Sequence, residues 1–201
     1  MAYIIDKINT LKKIYPKPLD HNYDKLNYDD EGLWSITYPN EADIVSSTIS
    51  NITEDNNINI LDMTAGCGGN TISFCKHFTN VTAIEYNLDR FNILKNNVKC
   101  YDFNNYTLIC GNSLNYINNN YDVFFIDPPW GGPEYKKQSN IELYIMDKKM
   151  NDIIDMIPVN KLIVLKLPFN YNFDGLNKYN VVLKQPMNNI IIVYLSHKIF
   201  L

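Results

Sequence analysis

Tyr179-Asn180-Val181-Val182-Leu183-Lys184, then Gln185-Pro186-Met187-Asn188-Asn189, then Ile190-Ile191-Ile192-Val193-Tyr194-Leu195 is the stretch that decides the fold. Both flanks are rich in β-branched and aromatic residues and read as strands. The gap between them is too short for a helical crossover, so the two strands pair as an antiparallel hairpin. Upstream the rhythm differs. Apolar strands are expected at 58–62, 81–85, 106–110, 122–126 and 162–167. Helical stretches are expected at 41–50, 70–78, 88–100 and, for the most part, 143–157. Such alternation builds a parallel sheet of βα units. Parallel units that close in a hairpin exclude the symmetric dinucleotide-binding fold, which continues with crossovers.

Composition bounds the rest. The 201 residues are 46% hydrophobic with a net charge of −4, which describes one soluble domain with a sizeable core. No apolar run approaches the roughly 18 residues of a membrane span. The first residues lack a signal layout, so an intracellular protein is expected. Four cysteines form no C-x-x-C pair, and the three histidines lie far apart in sequence. Reduced thiols and no metal site are therefore expected. Arginine occurs once, at Arg90. The acidic balance argues against sequence-blind binding to long nucleic acid, which needs many cationic contacts. A small anionic ligand or the end of an RNA fits better. Residues 1–40 carry a short helix, Pro16-Lys17-Pro18 and scattered tyrosines, and are read as an appendage to a domain spanning 41–201.

The layout resembles the class I, Rossmann-like sheet of S-adenosylmethionine (SAM)-dependent methyltransferases. Asp62-Met63-Thr64-Ala65-Gly66-Cys67-Gly68-Gly69-Asn70 joins the first strand to a helix. Glycines there permit a tight turn and close approach of a ligand to the backbone. The helix start offers unpaired N–H groups. Glu85 ends the second strand, where an acidic side chain can accept both ribose hydroxyls. Gly111-Asn112-Ser113 follows the third strand, where the adenine of an adenosine cofactor would lie. No full G-x-G-x-x-G is present, so NAD is the weaker choice.

The fourth strand runs into Asp127-Pro128-Pro129-Trp130-Gly131-Gly132-Pro133. Two prolines lack N–H donors, which leaves local carbonyls without intrachain partners. A carboxylate and a broad π-face stand beside them. This combination suits methylation of an exocyclic amine on a nucleobase. The amine lone pair is delocalised into the ring and attacks poorly. Acceptors holding both amine hydrogens, the Asp127 carboxylate and the Pro128 carbonyl, favour a pyramidal nitrogen. Positioning then carries most of the rate. Trp130 would stack on the base, at on the order of 1–3 kcal/mol.

Three stretches together resemble the trimethylguanosine synthases, the cap-specific guanine-N2 methyltransferases. They are residues 30–37 (Asp30-Glu31-Gly32-Leu33-Trp34-Ser35-Ile36-Thr37), 62–72, and 127–135 with Pro-Pro-Trp-Gly-Gly-Pro-x-Tyr. The resemblance implies methyl transfer from SAM, leaving S-adenosylhomocysteine, to N2 of a 7-methylguanosine cap on RNA or a cap analogue. It implies cofactor contacts from Thr37, Asp62, Thr64, Ala65, Gly66, Gly68, Glu85, Asn112, Ser113 and Asp127. It places the cap on Trp130, whose face attracts the cationic 7-methylguanine by roughly 0.5–2 kcal/mol. Trp34, Pro133, Lys13 and Lys166 complete the expected cap set, with the N-terminal appendage closing the pocket.

Three positions depart from that family's pattern. Asp127 stands where Ser is usual, Asn112 where Asp is usual, and Phe169 where an Arg near the cap phosphates is usual. Phosphate contacts then fall to lysines: Lys12, Lys13 and Lys17 in the appendage, or Lys136, Lys137 and Lys166. Trp34 is read equally as a pocket wall or as a pin for the appendage. Two other readings stay open, an amino-methyltransferase on an internal base of RNA or DNA and a non-catalytic cap-binding module. A monomer without membrane association is expected.

Overall fold

Pro16 and Pro18 stop the first helix and start an extended segment. The computed structural model describes residues 2–198, which divide into two units with the boundary between Asn112 and Ser113. The first unit opens with α1 (Ala2–Ile14), α2 (Asp30–Ser35) and α3 (Pro39–Thr53). The Asp29 carboxylate caps α2 by accepting from the Gly32 N–H, and Pro39 takes the first position of α3. The alternation follows: β1 (Asn59–Asp62), α4 (Gly69–His77), β2 (Asn80–Glu85), α5 (Leu88–Val98) and β3 (Tyr106–Cys110). β1 pairs with β2 and β2 with β3, both parallel, as crossover helices require. Leu11, Ile14, Tyr15 and Leu26 are buried in one cluster with Ile72, Ala83, Leu94 and Val98, so the N-terminal segment shares the core of this unit.

The second unit contains β4 (Val123–Ile126), a small hairpin of β5 (Tyr144–Ile145) and β6 (Lys148–Lys149), α6 (Met150–Met156), β7 (Leu162–Pro168), β8 (Asn180–Met187) and β9 (Ile190–Ser196). β4 and β7 are parallel, and every residue of both is buried. β9 runs antiparallel to β7, and β8 antiparallel to β9. The expected hairpin is therefore present, with its turn tightened to Asn188-Asn189 and Asn188 at φ +48°. Pro186 is accommodated because β8 is paired on one side only within this unit.

One expected element is corrected. Residues 143–157 are not mainly helical, since only Met150–Met156 are α-helix. Leu143 and Ile145 are buried while Tyr144 is exposed, an alternation with period two, and Met146 at φ +55° turns the chain back. Strands in parallel βα order that close in an antiparallel hairpin make this an α/β, Rossmann-like methyltransferase fold. Among the described residues no helix is long and apolar enough to cross a membrane.

Candidate active site

In the first unit the chain turns sharply after β1. Gly66 (φ +57°) and Gly68 (φ +99°) take left-handed conformations that side chains resist, and α4 starts at the next residue. A Cβ on Gly68 would also press on Leu94 Cδ1 at 3.0 Å. The loop is held from beneath. Ala65 N–H donates to Ile84 O (2.9 Å), and Gly66 N–H donates to Glu85 Oε2 (3.0 Å). Asn87 N–H donates to Glu85 Oε1 (2.9 Å), so each carboxylate oxygen holds one backbone donor and keeps a lone pair for a hydroxyl. Burial raises the Glu85 carboxyl above its ordinary range, opposed by these N–H groups and by Arg90. Asp62 is fully buried; it accepts from Thr71 Oγ1 (2.6 Å) and the Thr64 N–H (3.4 Å), which makes it a brace of the loop. Gly111 N–H donates to Glu85 O (3.0 Å), which brings the turn carrying Asn112 beside the end of β2.

The segment before α3 is seated on this loop. Thr37 is buried and its hydroxyl accepts from Asn70 Nδ2 (2.8 Å). A Cβ on Gly69 would lie 2.8 Å from Thr37 O, and one on Gly32 would lie 2.5 Å from Cys67 Sγ. Both glycines are therefore needed for close packing. Arg90 fastens α2 to α5, donating to Asp29 Oδ2 (2.9 Å) and Glu31 Oε2 (2.6 Å). Fully buried Asn97 sets its two Nδ2–H donors among three acceptors, Tyr15 Oη (2.8 Å), Asn27 O (2.9 Å) and Cys67 O (2.9 Å), and its Oδ1 accepts from Asn27 N–H (2.9 Å). Trp34 is 51% exposed, so it is not a pin for the segment. Lys13 is exposed, with its ammonium 5.3 Å from the Tyr38 ring centroid. Sequence reasoning missed Asn70, Arg90 and Asn97; only the singularity of Arg90 was a signal.

These residues fit a SAM-like cofactor. Buried Asn70 Oδ1 lacks a donor among the described residues, and space is open beside Gly66, where nothing lies within 4 Å of an added Cβ. With Glu85 poised for hydroxyls and the first-turn amides of α4 at the end of the glycine loop, the set offers acceptors for an ammonium and a ribose and donors for a carboxylate.

In the second unit β4 delivers Asp127-Pro128-Pro129-Trp130. Lys166, one residue past the Ile126–Leu165 register pair, is 5% exposed. Its ammonium donates to Asp127 Oδ2 (2.6 Å) and stands 5.6 Å from the Trp130 ring centroid. This pairing removes Lys166 from the solvated cations that the sequence offered for cap phosphates. Burial raises the Asp127 carboxyl, and the Lys166 charge opposes the rise. The Trp130 Nε1–H is buried without an acceptor among the described residues, and its ring meets Tyr135 edge-on at 5.2 Å. Gly131 (φ +85°) and Gly132 (φ +73°) turn the chain into the Pro133–Lys137 3-10 turn. Asn170 Nδ2 steadies that turn by donating to Tyr135 O (2.7 Å) and Gln138 O (2.8 Å). Ser113 is buried at the start of a separate 3-10 turn, and Phe169 is exposed after β7.

Residues 57–199 match the family model described as RNA cap guanine-N2 methyltransferase. The chain belongs to that family. The chain is 32% identical to an uncharacterised protein of Acanthamoeba polyphaga mimivirus, across 83% of this chain and 77% of that one. It is 25% identical to the trimethylguanosine synthase of Schizosaccharomyces pombe, across 87% of this chain and 79% of the relative. The Saccharomyces cerevisiae trimethylguanosine synthase is 24% identical, across 75% of this chain and 51% of the relative. Among solved structures, a hypothetical protein of Thermus thermophilus matches with TM-score 0.63 at 12% identity, covering 85% of this chain and 92% of that one. An rRNA methylase from Streptococcus thermophilus matches with TM-score 0.53 at 15% identity, covering 81% and 98%. At those identities the likeness is one of fold.

Proposed function

We propose that this cap methyltransferase family member transfers methyl from SAM to N2 of the 7-methylguanosine cap of RNA, giving 2,7-dimethylguanosine. When bound, the cofactor supplies an electrophilic sulfonium methyl. The chain's own residues do the remaining work. Glu85 holds the ribose hydroxyls, and the amides at the head of α4 hold the carboxylate, with Asn70 Oδ1 facing the ammonium. Thr37, Thr64, Ala65, Gly66, Gly68, Asn112 and Ser113 shape the rest of the cofactor site, and Asp62 braces its loop. Trp130 takes the base on its face and offers its unpartnered Nε1–H, while Trp34, Pro133 and Lys13 line the cap. Residues 1–40 act as the substrate-side appendage of a methyltransferase domain spanning 41–201.

Asp127 and the Pro128 carbonyl accept the two N2 hydrogens and turn the nitrogen lone pair out of conjugation. Burial also raises the affinity of Asp127 for a proton, which suits it to receive the one that the methylated nitrogen sheds. The observation that carries this reading is the half-buried Asp127 carboxylate, paired with buried Lys166, beside a Trp130 whose indole N–H lacks an acceptor among the described residues. The test is transfer of labelled methyl from SAM to 7-methylguanosine triphosphate, beside GTP and an unmodified RNA. Transfer to the first alone supports the reading, and nucleoside analysis then tells 2,7-dimethyl- from 2,2,7-trimethylguanosine. Asp127, in place of the usual Ser, favours a second reading, methylation of an internal base amine; transfer to the unmodified RNA alone would establish it. A non-catalytic cap-binding module would bind the cap and transfer nothing.

A further inference from the structure

Residues 7–19 carry four lysines and no acidic side chain, in a chain whose net charge is −4. Two of them, Lys12 and Lys13, lie in the last turn of α1, and Lys17 stands between Pro16 and Pro18. With Tyr23 and Tyr38 these three lysines line a groove of about 450 Å³. Lys13 Nζ is 5.3 Å from the Tyr38 ring centroid and Lys12 Nζ 6.0 Å from that of Tyr23. Among the described residues none of the three ammoniums pairs with a carboxylate; the nearby Asp20 is taken by Lys25. The helix end favours lysines there through its dipole, but that accounts for neither Lys17 nor the aromatic walls. Cations without carboxylate partners, spaced along a groove with an exposed ring at Tyr38 and the half-buried Tyr23 beside it, match a chain of phosphodiesters with a stacked base. The groove also begins one residue after Thr37, whose hydroxyl is bonded to Asn70 of the glycine-loop helix.

We propose that this groove binds the RNA that follows the cap, with phosphodiesters against Lys12, Lys13 and Lys17 and a nucleobase on Tyr38. The inference rests on the capped-RNA reading, so its test separates the two. The full chain is titrated by fluorescence anisotropy with an uncapped, single-stranded RNA decamer over a range of salt, and with 7-methylguanosine triphosphate. Three phosphate contacts on single-stranded RNA predict a log–log salt slope of about −2. Lys12→Gln/Lys17→Gln should flatten the slope to about −0.7 and weaken decamer binding about tenfold at low salt. Tyr38→Leu keeps every cation, so it should weaken decamer binding about fivefold or more with the slope unchanged.

Thermal melts establish that each variant is folded, and either variant alone suffices for the test. Equal losses for the decamer and for 7-methylguanosine triphosphate would assign the lysines to the cap's own phosphates and overturn the proposal. Unchanged decamer binding would overturn it as well, as would displacement of the decamer by a poly-glutamate peptide at matched charge. A chain that binds the decamer through these residues but fails to methylate 7-methylguanosine triphosphate would keep the groove and refute the cap reading instead.

Discussion

Lys166→Met keeps the apolar stem of the side chain and deletes the ammonium that donates to Asp127 Oδ2 at 2.6 Å. The two side chains are 6% and 18% exposed, so solvent screens the pair little. Breaking a desolvated pair by removing one partner costs about 3–5 kcal/mol, because the remaining charge has lost its compensation. For a chain of this length that loss lowers the melting temperature by roughly 6–20 °C. The sign with pH follows from Asp127. Its carboxyl is already raised by burial, and the Lys166 charge and hydrogen bond oppose that rise, so the variant's carboxyl rises further. The folded variant then binds a proton that the unfolded chain releases at about pH 4. Stability associated with that proton is present below the unfolded value and is lost as pH rises through the raised, folded one. The variant should therefore approach wild type in acid and fall away toward neutrality. Adding Asp127→Ser, which removes the stranded charge, should restore most of the stability at neutral pH. Urea unfolding of the four proteins at several pH values measures this. A single-variant loss under about 1 kcal/mol, a gap independent of pH, or a double variant no better than Lys166→Met would refute the reasoning.

Asn97→Ala would take the acceptor from the Asn27 N–H and leave the Asn27 and Cys67 carbonyls to share the single Tyr15 hydroxyl, at about 1–3 kcal/mol for each unsatisfied group, beside the cavity it opens. A loss of about 3 kcal/mol or more is expected in urea unfolding, whereas Asn96→Ala on the same helix should cost far less. Gly69→Ala would drive a Cβ to 2.8 Å from Thr37 O and Ile36 Cγ1. It should loosen residues 29–38 from the loop, raise the KM for SAM, and speed proteolytic cleavage ahead of α3. Burial pushes the Cys67 and Cys75 thiols up to about 12, while Cys110 is exposed. Iodoacetamide at pH 8 should thus alkylate Cys110 first and leave Cys67 and Cys75 intact until the chain unfolds, as peptide mass spectrometry would read.

What the sequence revealed was what local patterns encode. The glycine loop, Glu85 at a strand end and the Asp-Pro-Pro-Trp tip each depend on a few adjacent residues, and each stands in the expected kind of element. The closing hairpin was legible because too few residues separate its strands for any other connection. Residues 143–157 misled because Leu143, Met150 and Ile154 recur at i, i+7 and i+11, a helical spacing, while Leu143 and Ile145 alternate as in a strand, and the turn at Met146 separates the two patterns. Lys166 was misread for another reason. A lysine in an apolar strand resembles any surface cation until Asp127 is found beside it, a contact 39 residues away in sequence. Asn97 and Arg90 act across similar separations, and in so asparagine-rich a chain nothing local distinguishes Asn97 from its neighbours.

Asp127 and Lys166 carry opposite unit charges 2.6 Å apart, so together they form a dipole rather than a monopole. Its field decays faster with distance than that of a single ion, and the mobile ions of the buffer see almost none of it. With the cap held as proposed, a cationic base on Trp130 would therefore meet a short-range, salt-blind environment made of ring quadrupole and local dipole. Discrimination between 7-methylguanosine and guanosine, measured as a ratio of kcat/KM values, should hold constant as ionic strength rises. Binding along the lysine groove should weaken over the same range. One salt titration would thus separate what the enzyme reads at the base from what it grips along the chain.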